Sequence, residues 1–227
     1  MQMQQKKKIK GFTIIELLVV IAIIAVISGL AIPQFANWSK ERAVKNSAER
    51  IKDLAVSINS QVQRGLYGFA QFSIIPLADD EGYSFQTNGM LMSNLATNIS
   101  ETDDWYKMSV RCKNDVTFWN HLGASKDRPE VRSLEIDNVK LSIDQTSGVC
   151  FSKDGSWFSS FGDLADGEKN IEGFYICGDI SEECPVTSGE DENETFEMDF
   201  LYELSWSRFG NITLERWDDN RKTWIAQ

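Results

Sequence analysis

The sequence predicts an α+β protein in which one long N-terminal helix packs on an antiparallel β head. Three observations predict it. Residues 14–32 form an almost unbroken apolar run. Between Val44 and Val62, apolar residues recur at three- and four-residue spacing. Further on, short alternating runs are separated by Asp-, Asn- and Gly-containing turns.

The chain begins MQMQQKKKIKG, with Lys6, Lys7, Lys8 and Lys10 directly before the apolar run IIELLVVIAIIAVISGLAI. As a helix that run is about 28 Å long, close to the ~30 Å hydrocarbon core of a bilayer. The lysines keep the start in the cytoplasm and send the chain after Phe35 outward. A cleaved secretory signal has a shorter apolar core and a small-residue cleavage site, and neither is present here. A buried core helix conflicts with the lysine run at its edge. A plain signal anchor accounts for everything except Glu16. A carboxylate inside an apolar span costs roughly 2.5–3.5 kcal/mol at bilayer depth, so an intramembrane acid implies a partner.

Beyond the span, Val44, Ala48, Ile51, Leu54, Ala55, Ile58 and Val62 mark one face of a continuing helix; Lys45, Glu49, Lys52, Asp53, Asn59 and Gln63 mark the other. Pro33 and Gly29 are expected to kink or soften this helix without ending it. Gly65 and Gly68 are expected to stop it. Trp38 stands just past the apolar run, where interfacial aromatics are found.

Residues 70–105 read as irregular, with turn signals at Asp79-Asp80-Glu81-Gly82 and Asn88-Gly89. Strands are expected over Tyr106–Cys112, at Leu134/Ile136 and at Val139/Leu141/Ile143 around a turn at Asp137-Asn138. Others are expected at Gly148–Ser152, Trp157-Phe158 and Gly173–Cys177. Phe200–Trp217 reads as a hairpin turning at Phe209-Gly210-Asn211.

The formal net charge is −11, and the leader lysines offset part of a more acidic remainder. An acidic body repels phosphate backbones, so no nucleic-acid partner is expected. The four cysteines, Cys112, Cys150, Cys177 and Cys184, all follow the apolar run. Export implies two disulfides. Cys177 and Cys184 flank a polar turn and are the easier pair; Cys112–Cys150 follows by elimination. The alternative is four buried thiols. His121 is the only histidine, and no G-x-S-x-G, P-loop, G-x-G-x-x-G or C-x-x-C occurs. No enzymatic activity, cofactor or metal is expected. The acidic runs Asp79–Glu81 and Glu190–Glu194 read as solvated loops rather than calcium sites.

Gly11-Phe12-Thr13-Ile14-Ile15-Glu16-Leu17-Leu18-Val19-Val20 resembles the class III signal of type IV pilins and type II secretion pseudopilins. That pattern is a short basic leader ending in Gly, then Phe-Thr, a Glu four residues after the Phe, and a long apolar helix with Pro near its end, as Pro33 is here. The resemblance implies a pilin-like fold, cleavage between Gly11 and Phe12 by a prepilin peptidase, and N-methylation of Phe12. It also implies that Glu16 pairs with the Phe12 amine of a neighbouring subunit, setting register in a filament. The chain then divides into a cleaved leader (1–11), a transmembrane and assembly helix (12–38), an amphipathic periplasmic helix (39–66) and a β-rich periplasmic head (67–227).

Residues 149–155 and 207–212 resemble the GspH/FimT-type (pseudopilin H) branch. The partners implied are other pilins, the peptidase, an inner-membrane assembly platform and a bilayer crossed once. The function expected is that of a minor pilin or pseudopilin in a type IV pilus or type II secretion pseudopilus. The alternative is a filament-tip adhesin or substrate-binding module on the same anchor.

Overall fold

The computed structural model describes residues 13–78, 81–101, 112, 119, 132–143, 145–153, 157–161, 173–178, 184–185, 196, 200–207 and 210–227; for residues 30–34, 36, 37 and 157–161 this is the backbone alone. The chain forms two compact units, Met1–Glu41 and Arg42–Gln227. Helix α1 spans Ile14–Gln63 and contributes to both. It does not end at Gly29 or Pro33, where the backbone remains helical.

In the second unit, α1 is followed by β1 (Phe69–Pro76), β2 (Tyr83–Met90), α2 (Met92–Glu101), β3 (Ser133–Ile136), β4 (Lys140–Leu141) and β5 (Ser147–Ser152). Then come β6 (Trp157–Phe161), β7 (Gly173–Cys177), β8 (Leu201–Trp206), β9 (Ile212–Asp218) and β10 (Thr223–Ala226). They make two five-stranded sheets, β3-β2-β1-β5-β6 and β10-β9-β8-β7-β4, with every pairing antiparallel. The architecture is the α+β arrangement expected of a pilin-like chain.

The apolar stripe of α1 explains the core. Val44, Ala48, Ile51, Leu54, Ala55, Ile58 and Val62 are all buried. They share one cluster with Phe72, Ile74, Phe85, Val149 and Phe151 of the first sheet and Phe174, Ile176, Tyr202, Leu204 and Leu214 of the second. Each fully buried aliphatic or aromatic side chain contributes about 1.5–3 kcal/mol. The helix closes with two reverse-turn hydrogen bonds: the Gly65 N–H donates to Val62 O (2.9 Å) and the Leu66 N–H to Gln61 O (3.0 Å). This is a Schellman ending, and it places Gly65 at φ +78°, a conformation that glycine adopts without a Cβ penalty.

The connection from β3 to β4 departs from expectation. Residues 137–138 do turn, but the two strands they join do not pair. β3 pairs with β2 in the first sheet and β4 with β7 in the second. This short crossing ties the sheets together. Ile136, Val139 and Leu141 drop into the shared core, Ser47 Oγ donates to Asn138 Oδ1 (2.8 Å), and the Leu141 N–H donates to Tyr83 Oη (3.2 Å).

The reading of 70–105 as irregular is corrected. This stretch holds the β1–β2 hairpin and α2. β1 is central and covered on both faces, so its residues do not alternate. β2 is polar in composition, yet Ser84 and Thr87 are buried. Asn88-Gly89 is mid-strand and not a turn: Asn88 Nδ2 donates to Gln71 Oε1 across the hairpin (3.2 Å). A Cβ at Gly89 would lie 2.9 Å from the Tyr67 ring, which packs over the strand there. The signal at 79–82 does fall in the hairpin connection, where the Leu77 N–H donates to Gly82 O. β10 and α2 were not expected. The strand expected at Tyr106–Cys112 lies, except for Cys112, outside the described residues.

The faces of the sheets turned away from α1 carry two smaller clusters. Phe69, Met90, Cys112, Trp119 and Cys150 cover the first sheet, with the Phe69 and Trp119 rings stacked at 5.5 Å. Cys177, Cys184, Phe196, Leu201 and Trp217 cover the second, with Tyr175 and Trp224 against them. Each cluster contains one disulfide, Cys112–Cys150 or Cys177–Cys184, with Cα–Cα distances of 5.9 and 5.8 Å.

Candidate assembly site

The candidate site is the start of α1, built from four consecutive residues. Thr13-Ile14-Ile15-Glu16 has the S/T-x-x-E spacing of a capping box. Thr13 stands at the N-cap, with its carbonyl accepting from the Leu17 N–H (3.2 Å). The Glu16 N–H donates to Thr13 Oγ1 (3.3 Å). In return, Glu16 Oε2 accepts from the Thr13 N–H and the Thr13 hydroxyl, both at 2.8 Å. The carboxylate thus satisfies an N–H that the first helical turn leaves without an intrahelical acceptor. It also places negative charge at the positive end of the helix dipole.

Both bonds to the carboxylate use Oε2. Glu16 Oε1 accepts none among the described residues, so the cap leaves one carboxylate oxygen open. Thr13 is the capping residue of this site, and the sequence alone does not single it out. The S/T-x-x-E spacing to Glu16 is the available signal; Glu16 stands out as a charge in the apolar run, whereas Thr13 reads only as part of the longer motif.

Behind this cap the helix is apolar and uncovered. Ile14, Ile15, Leu17, Leu18, Val19, Val20, Ile21, Ile23, Ile24, Val26 and Ile27 are all exposed. A stripe packed on a core buries one side; here every side is open, so the surface demands an apolar environment all round. Among the described residues no helix is long and apolar enough to cross a membrane. The described apolar side chains from Ile14 to Gly29 span about 24 Å of helix. Gly11 and Phe12 lie outside the described residues, as does the side chain of Pro33.

The remaining candidates are placed as follows. The four cysteines form the two bridges described above and belong to the head. Among the described residues no group of three or more His, Cys, Asp or Glu is arranged to hold a metal ion. His121, Asp79, Asp80 and Glu190–Glu194 lie outside the described residues.

A family profile described as the prokaryotic N-terminal methylation motif matches residues 6–32. It covers the lysine leader, the Gly11-Phe12 junction, the Thr13–Glu16 cap and the apolar helix. Over this segment the chain carries the N-terminal methylation motif that the resemblance to type IV pilins led one to expect. Two fimbrial proteins of Pseudomonas aeruginosa are each 34% identical to this chain over 56 residues, which is 25% of this chain and 36% of each relative. The chain thus spans about a third of the length of the curated relatives it matches. No solved structure matches. The likeness to these relatives therefore covers a limited stretch of the chain.

Proposed function

We propose that this chain is a pilin: a minor, non-enzymatic structural subunit of a type IV pilus or type II secretion pseudopilus, acting in filament initiation or at the tip. A prepilin peptidase cleaves between Gly11 and Phe12, and Phe12 is N-methylated. Before assembly the chain crosses the inner membrane once through residues 12–38, with its head in the periplasm. An inner-membrane platform then moves it into the filament, where its apolar helix packs among those of other pilins.

The observation that carries this reading is the Thr13–Glu16 cap at the head of an uncovered apolar helix. Removing the leader creates a cationic amine on Phe12. Oε1 of Glu16 remains open to accept such an amine from a neighbouring subunit while Oε2 keeps the cap. Pairing neutralises two charges that are costly in an apolar interior, and it defines one axial register between helices. A hydrophobic contact alone does not fix register.

The GspH/FimT-type assignment is supported by two strand–turn units: β5, running into Lys153, and the β8–β9 hairpin around Gly210-Asn211. A head of this size, with long acidic excursions, suits a subunit present in few copies better than one packed along a whole filament.

The test is incorporation. Wild type and Glu16→Ala are compared in the sheared filament fraction of the producing cells, with total membrane-bound protein as the control. The expected result is normal membrane insertion with loss from the filament. Unchanged incorporation of Glu16→Ala would refute the pairing.

A further inference from the structure

Phe35 and Trp38 stand three residues apart on α1, with ring centroids 5.4 Å apart at an interplanar angle of 62°, an edge-to-face pair. Both face outward: Phe35 is 68% and Trp38 48% exposed. The apolar side chains from Ile14 to Ile27, nearer the helix start, are exposed as well. Immediately after the aromatic pair the sequence turns polar and charged, with Ser39, Lys40, Glu41 and Arg42. An aromatic pair at the junction of an apolar helix surface and a charged one has the chemistry of the bilayer interface: rings against the upper acyl chains, the indole N–H toward headgroups and water.

Their spacing from the other end of the helix supports the same placement. Phe35 follows Thr13, and Trp38 follows Glu16, by twenty-two residues each. At 1.5 Å per residue both intervals are about 33 Å, close to the ~30 Å hydrocarbon thickness. With the aromatic pair at one interface, the Thr13–Glu16 cap falls at the other. We infer that Phe35 and Trp38 form a lipid-interface anchor that sets the depth of the helix and holds the Glu16 carboxylate at the opposite headgroup boundary instead of within the hydrocarbon. The inference rests on the membrane reading proposed above and adds to it a defined depth. It also alters the energetics of Glu16, because a carboxylate at the boundary keeps access to water and avoids the full cost of mid-bilayer burial.

The test uses the full chain, labelled with 5-fluorotryptophan and reconstituted into phosphatidylethanolamine/phosphatidylglycerol vesicles. W38F assigns the Trp38 fluorine resonance, and because Trp38 is exposed this variant leaves the fold in place. Nitroxide lipids labelled either at the headgroup or at the end of the acyl chain are added in turn, as is a water-soluble relaxation agent. The expected result is that the Trp38 signal loses several-fold more intensity with the headgroup label than with the chain-end label, while the head tryptophans respond only to the water-soluble agent. Two outcomes overturn the inference: Trp38 behaving like the head tryptophans, or responding most to the chain-end label. A chain that fails to float with vesicles overturns the membrane reading itself, so the two failures are distinguishable.

Discussion

Glu203 on β8 and Glu215 on β9 stand directly opposite each other in the second sheet, and neither carboxylate has a basic partner among the described residues. Tyr175 faces Glu203 from β7, and Ala226 faces Glu215 from β10. Arg216 sits at the adjacent position on β9, so it points to the other face of the sheet; Arg221 and Lys222 are paired with Asp218 and Asp219. From Asn170 to Ser207 the sequence contains no Lys, Arg or His. Burial first, and the Glu215 charge second, raise the Glu203 pKa above the usual carboxylate value.

The sign of the resulting pH dependence follows. A raised pKa means the folded state takes up a proton that the unfolded chain binds only nearer its ordinary value of 4.5. The penalty is complete above the folded pKa and is relieved as pH falls toward 4.5. Glu203→Gln is therefore expected to be more stable than wild type at pH 7, by about 0.5 kcal/mol given the usual size of cross-strand terms. The difference should shrink as pH falls. Urea midpoints of the full chain in detergent, measured for both proteins across this range, check it; a difference that grows on acidification contradicts the assignment.

The helix cap makes a local prediction. Thr13→Val keeps the shape but removes the hydroxyl, and with it two of the cap's hydrogen bonds, at a cost of about 1 kcal/mol at the helix start. Amide exchange at Ile14–Leu17 should accelerate in Thr13→Val and stay near wild type in Thr13→Ser. Equal protection in all three proteins would show that the cap does not hold this turn.

The two disulfides are expected to differ. Cys112–Cys150 closes a separation of 38 residues and Cys177–Cys184 one of 7. Chain-entropy reasoning gives about 4 kcal/mol for the longer loop and about 2.4 kcal/mol for the shorter. Replacing Cys112 and Cys150 together by Ala should therefore lower the melting temperature more than replacing Cys177 and Cys184. The reverse order in calorimetry would count against that ranking.

The amphipathic half of α1 offers a contrast between its two faces. Ile58 lies in the core shared by both sheets, and Ile58→Ala is expected to cost 2–5 kcal/mol. Lys45 makes only a 3.8 Å surface pair with Glu49, so Lys45→Ala should change stability by less than about 0.5 kcal/mol. Denaturant midpoints distinguish the two.

This contrast also shows what could be read in the sequence and why. α1 was legible because all seven stripe residues fall at helical spacing and one face packs on a core. The β8–β9 hairpin was legible because one face alternates against the core. β1 was not, since Phe69, Gln71 and Ser73 are as buried as Ala70, Phe72 and Ile74 and erase the alternation. Asn88-Gly89 imitated a turn because the Tyr67 ring, remote from it in sequence, supplies the packing that a side chain at Gly89 otherwise would. The separation of β3 from β4 depends on long-range pairing that no local pattern records. At the assembly site Glu16 was legible as a charge out of place, whereas Thr13 emerged only from the geometry of their mutual hydrogen bonds.

In the proposed function Phe12 becomes a cationic amino terminus beside the Glu16 cap. Mass spectrometry of the mature N-terminus, from protein recovered from its native membrane or filament, tests it most directly. The expected species is a chain lacking residues 1–11 and beginning with N-methyl-Phe12. A retained leader, or cleavage beyond Ile32, would contradict it.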